Sequence, residues 1–157
     1  MFSGARSILR TAWRTVQEKH PFILIALSLL PYHSHCIWKL PENDSDYSIR
    51  WQKIKDIFSH TVDKQCIALE TVNESRKSKR EAPIWQRRFW KHTIRDQEDY
   101  NKHIDYIHFN PVKHGYVQKA IEWPWSTFHK YLSLGVYDPN WGDISSNEEF
   151  ILKTVGE

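Results

Sequence analysis

Pro31-Tyr32-His33-Ser34-His35-Cys36-Ile37-Trp38 is the stretch on which the reading of the fold turns. Side chains of a strand repeat their direction every second residue, so His33 and His35 point the same way if this stretch is extended. Extended from His33 to Leu40, it alternates: His33, His35, Ile37 and Lys39 share one face, and Ser34, Cys36, Trp38 and Leu40 the other. The second face is expected to pack on helices while the first carries the imidazoles. Immediately upstream, Phe22–Leu30 is apolar throughout and bracketed by Pro21 and Pro31. It is far shorter than the ~20 residues a bilayer-spanning helix needs, and it follows a charged, helix-like stretch rather than a signal-type leader. Residues 22–29 therefore read as a strand buried on both faces.

Working outward, residues 4–19 place Ile8, Leu9, Ala12, Trp13 and Val16 at helical steps, with Arg6, Arg10, Arg14 and Lys19 on the wet side. After a turn at 40–44, Ser45 or Asp46 caps a helix running to about His60, with Ile49, Ile54, Ile57 and Phe58 roughly periodic. Residues 72–83 are polar and charged and read as an exposed loop. From Arg76 to Lys91 seven bases meet a single acid, Glu81, and are interleaved with Trp85, Phe89 and Trp90. Bases among aromatic rings suit single-stranded nucleic acid, where backbone charge and base stacking both contribute. A solvated loop followed by a half-buried strand over 87–94 fits the same residues.

Asp96 is a good N-cap, and Glu98 and Asp99 fall in the first turn, where the helix dipole favours acids. Tyr100, Ile104 and Ile107 form the apolar stripe of the helix that follows. On a 100° wheel Asp99, His103, Tyr106 and Asn110 line one flank of it, at the border between core and cleft. Pro111 disfavours helical geometry at Asn110 and is expected to end the helix there. The remainder, with Trp123-Pro124-Trp125-Ser126 and a short helix to Leu134, reads as a packing tail.

The chain has 157 residues and a net charge of +3, which hides an asymmetry. Residues 138–157 hold five acids against Lys153, leaving 21 bases against 14 acids elsewhere. A basic body with an acidic end suits a polyanionic partner. Cys36 and Cys66 have no metal-type spacing and form no disulfide framework, so a reduced, cytoplasmic setting is expected. The organisation expected is one domain over 1–143 and an acidic tail over 144–157.

Two imidazoles and an amide oxygen can hold a divalent cation, Mg2+ or Mn2+, and a phenol beside them can attack a phosphate. A tyrosine, with a pKa near ~10, is a weak nucleophile at neutral pH and gains from a metal that polarises the group it attacks. Each piece alone is commonplace in a core; their conjunction points to phosphodiester cleavage through a covalent phosphotyrosine.

At these residues the chain resembles the REP-associated tyrosine transposases, a branch of the single-tyrosine HUH transposase family. LPYHSHCIWKLPENDSDYSIRWQKIK (30–55), IWQRRFWKHTIRDQEDYNKHIDYIHFNPVKHGYV (84–117) and WPWSTFHKYLSLGVYDPNWG (123–142) follow that family's blocks in order. The resemblance implies an α+β fold, a ferredoxin-like antiparallel sheet with helices packed on it. It implies that His33 and His35 form the HUH pair, that Asn110 is the third metal ligand, and that Tyr106 is the nucleophile. The implied partner is single-stranded DNA near hairpins of repetitive extragenic palindromes, met in a bacterial cytoplasm at the nucleoid. Arg50, Lys53, Arg87, Arg88, Lys113 and His114 are the candidate DNA contacts. Two departures stand out. Ser34 occupies the middle of the pair, where the family carries an apolar residue, and the chain begins almost at its first helix, where members begin with a strand. The first family strand is thus expected to be missing, leaving an exposed edge beside the histidine strand. The competing expectation is a catalytically degenerate hairpin binder or a truncated gene product.

Overall fold

A computed structural model of the chain describes residues 3–62, 85 and 90–145. They fall into two compact units, Met1–Phe22 with Leu40–His92, and Ile23–Lys39 with Thr93–Glu157. The tail expected from residue 144 lies, from 146 onward, outside the described residues.

In the first unit, α1 (Ser3–Lys19) packs against α2 (Tyr47–Thr61). Ala12, Trp13 and Val16 of α1 are buried, as their helical spacing requires. Trp13 meets Phe22 at 6.3 Å and Trp51 at 5.3 Å between ring centroids. On α2 the inward row is Arg50, Ile54 and Phe58, one residue per turn.

Arg50 overturns an expectation. It is 2 % exposed and does not line a DNA groove. Its Nη1 donates to Asp44 Oδ1 (3.0 Å) and the Asp46 carbonyl (3.0 Å), and its Nη2 to Asp44 Oδ2 (2.6 Å) and the Pro21 carbonyl (2.8 Å). Its Nε donates to the His20 carbonyl (3.3 Å). The planar fork thus ties the end of α1 to the start of α2, and a guanidinium with its donors so engaged has none to offer a phosphate. Its hydrogen bonds hold the Asp44 carboxyl down at about 2.

In the second unit, β1 (Ile23–Leu29) and β2 (Ser34–Lys39) form an antiparallel hairpin around a four-residue turn closed by the Leu30 N–H and the His33 carbonyl, 2.9 Å apart. The register pairs Ser28 with His35 and Leu29 with Ser34, with a bulge between Leu24 and Ala26. The second edge of β1 is taken by the segment around Ser126: Leu29 N–H donates to the Trp125 carbonyl and Thr127 N–H to the Leu27 carbonyl, both 2.9 Å. What read as a packing tail thus borders β1 on that side. Among the described residues β2 pairs only with β1, so the antiparallel sheet has two strands there.

The third long helix, α3 (Gln97–Lys113), packs on both strands. Asp96 caps it through a hydrogen bond from the Asp99 N–H (2.8 Å). The helix does not stop at Asn110: Pro111 lies inside it, and the His114 N–H still reaches the Asn110 carbonyl (3.0 Å). Residues 107–112 are all buried, so packing on every side outweighs the pre-proline preference. The strand expected over 87–94 is absent from 90–94, and 86–89 lie outside the described residues. A short 3-10 turn (Ala120–Glu122) and α4 (Phe128–Ser133) complete the unit. Its core joins Ala26, Ile104, Ile107, Phe109, Val112, Ala120, Phe128 and Tyr137.

α3 covers the imidazole face of β2, not the opposite one: Ile37 packs against this core and the His35 ring meets Tyr106. On the other face, desolvation pushes the Cys36 thiol up to about 12, so it stays a neutral thiol at neutral pH. No helix among the described residues is long and apolar enough to cross a membrane.

Candidate functional site

The site lies wholly within the second unit, where β2 and the C-terminal half of α3 meet. The strand period puts His33 and His35 on one face, their rings 5.0 Å apart and perpendicular at 89°. His35 presses edge-to-face on Tyr106, 5.3 Å between centroids at 86°. His33 makes a similar contact with His114 at 5.1 Å and 74°. Lys113, two helical turns beyond Tyr106, sets its Nζ over the Tyr106 ring at 4.9 Å. Tyr106 is half-buried, while Lys113 and His114 are exposed.

Asn110 sits one turn beyond Tyr106 on the same helix and is fully buried. Among the described residues neither its Oδ1 nor its Nδ2 has a hydrogen-bond partner. A buried amide in that state costs on the order of 1–3 kcal/mol per unmatched group, so such groups call for an explanation. A divalent cation at the oxygen would answer half of the deficit. Two imidazole nitrogens and one amide oxygen are a mixed donor set compatible with Mn2+ and, less typically, Mg2+. The residues present therefore fit the expected metal.

The rest of the expected set divides. His33, His35, Tyr106, Lys113 and His114 come together. Lys53 is exposed on α2, in the other unit, and Arg87 and Arg88 lie outside the described residues. Asp99 and His103, on the Tyr106 flank of the wheel, serve local structure: the His103 Nδ1 lies 3.1 Å from the Asp99 carboxylate, and Arg95 Nε donates to it at 3.2 Å.

Sequence reasoning missed a second set of polar groups behind the site. His108 is fully buried, with Nε2 at 2.8 Å from the Thr127 hydroxyl and Nδ1 at 3.1 Å from the Tyr137 hydroxyl. Tyr137 donates in turn to Asp105 (2.7 Å). Burial lowers the His108 imidazole to about 4 and holds the Asp105 carboxyl and the Tyr137 hydroxyl above their ordinary ranges. The signal was available: His108 stands four residues after Ile104 and so shares its buried row. The network links α3, β1 and the segment after α4, and fixes the helix that carries Tyr106.

No protein-family model matches the chain. A REP-associated tyrosine transposase of Escherichia coli K12 is 43% identical over 148 residues, covering 92% of this chain and 79% of that protein. The chain belongs to the REP-associated tyrosine transposases. A Haemophilus influenzae protein provisionally given the same family name is 44% identical over 133 residues, 85% of this chain and 74% of that one. A solved structure of a REP-associated tyrosine transposase bound to a REP hairpin superposes with a TM-score of 0.72 at 41% identity, covering 89% of this chain and 74% of that one. Membership of this family makes the chain one of a class of DNA-processing enzymes with an α+β fold.

Proposed function

We propose that this chain binds REP-like DNA hairpins and cleaves and rejoins single-stranded DNA beside them through Tyr106. The reading rests on the Tyr106 ring packed against His35, with His33 alongside and the buried Asn110 amide one turn away. The relatives' name and the hairpin held by the solved relative supply the substrate class. The Tyr106 oxygen attacks the phosphorus, the 3′ oxygen leaves, and a 5′-phosphotyrosine link conserves the bond energy for rejoining. His33, His35 and Asn110 would hold the divalent cation, which when bound polarises the phosphoryl oxygens and stabilises the charge that develops on them. The His35 ring edge fixes the phenol, and Lys113 above it adds positive charge where the phosphate must approach. Such DNA would be met in the bacterial cytoplasm, at the nucleoid.

The test is incubation with a hairpin oligonucleotide carrying single-stranded flanks and Mn2+ or Mg2+. A covalent protein–DNA adduct is expected with the native chain and none with Tyr106→Phe. An adduct that survives Tyr106→Phe refutes the assignment. Salt-sensitive retention of the hairpin with no adduct would mark a chain that grips DNA without cutting it.

A further inference from the structure

The rings of the site do not stop at His33. His114 continues to Tyr116 at 6.1 Å and 35°, Tyr116 stacks on Trp123 at 5.5 Å and 28°, and Trp123 meets Trp125 at 4.8 Å and 90°. The inner end is buried: Trp123 is 7 % exposed and its Nε1 donates to the Leu29 carbonyl at 3.2 Å. The outer end is not. Tyr116 is 37 % exposed and His114 is exposed too.

The backbone holds this outer end still. Gly115 takes φ +70, and its N–H donates to the Val112 carbonyl while the Tyr116 N–H donates to that of Pro111, both at 2.9 Å. This pair of bonds is a Schellman ending, and a side chain would strain the left-handed residue at its centre. Tyr116 is thereby set rigidly against the helix that carries Tyr106 and Asn110. A core would turn such rings inward, whereas an exposed, pre-fixed ring is what a nucleobase stacks on at low entropic cost.

We propose that Tyr116, with His114 beside it, stacks one unpaired base of the DNA strand adjoining the phosphate that Tyr106 attacks. This inference rests on the DNA reading above and adds to it the residues that seat the flanking nucleotide. Lys113, next in sequence to His114 and exposed, holds its Nζ over the Tyr106 ring and so puts positive charge in the same cluster.

The experiment is equilibrium binding of the full chain to a labelled hairpin with single-stranded flanks, in which single abasic sites are moved through the flanks. Native protein should lose about 5- to 150-fold in affinity at one abasic position, the range for one base–aromatic stack. Tyr116→Ala should lose a similar factor on intact DNA and nothing more on the DNA abasic at that position, while Tyr116→Trp should bind as the native chain does. Thermal melts of both variants separate out any loss caused by unfolding, and a native chain that loses affinity at no single abasic position overturns the inference whatever the variants do. Losses that simply add at all positions, or native-like binding by Tyr116→Ala, would overturn it as well. A native chain that binds neither hairpin nor flanks would overturn the DNA reading and this inference together, whereas native binding with additive losses removes only the inference.

Discussion

Arg50 and Asn110 are each polar, each on a helix and each sealed from solvent, yet they are opposites. Arg50 spends its guanidinium on five hydrogen bonds to Asp44 and three backbone carbonyls. Asn110 has no hydrogen bond at either side-chain polar atom among the described residues. A buried group with its partners in place is part of the scaffold, and removing it leaves those partners stranded. A buried group without them is a cost to folding and calls for an explanation, such as an ordered water or a bound ion. The same burial thus comes with a full set of partners in one unit and with none among the described residues in the other.

The sharpest way to break the contrast is to replace each residue by an apolar one. Arg50→Ala should destabilise the protein by roughly 3–5 kcal/mol, read as a lower urea midpoint at unchanged slope. Asn110→Leu should do the reverse for the fold, leaving the midpoint unchanged or raised, because an apolar group of similar size replaces unmatched polar atoms. The same variant should lower adduct formation about 100-fold or more and remove any rise in melting temperature that Mn2+ gives the native chain. A sharp loss of stability in Asn110→Leu would place that residue with Arg50 instead.

A third, smaller effect comes from His108, whose partners are in place but whose ring titrates. Its folded value of about 4 lies below the ordinary 6.5, so as pH falls from about 6.5 to 4 the unfolded chain takes up a proton that the folded chain refuses. Stability should drop over that window by up to about 3 kcal/mol, and His108→Gln should flatten the slope in melts taken across it. Asp105 acts in the opposite sense, since its raised carboxyl protonates in the folded state first.

The histidine strand, the amphipathic helices and the Tyr106–Asn110 spacing were legible because each rests on a period, and periods are local. The hairpin fell into place for the same reason, with Pro31 in its turn. The run through Pro111 was misread because a local preference was trusted where six consecutive buried residues decide the geometry. Arg50 was misread because charge implies solvent unless a partner is known. Asp44 lies six residues away, but the carbonyls of His20 and Pro21 are distant in sequence. The pairing of Trp125–Thr127 with β1 carried no alternating pattern at all, since three residues are too few to display one.

That last pairing sets an order of events in the life of the chain. Leu27 and Thr127 are separated by 100 positions, so the strand is synthesised early and closed late. A ribosome that has released the hairpin but not yet Trp125 holds a nascent polypeptide with an open backbone edge, and contacts of such long range form slowly. Premature stop codons anywhere before Trp125 are therefore expected to yield inclusion bodies rather than a smaller working protein.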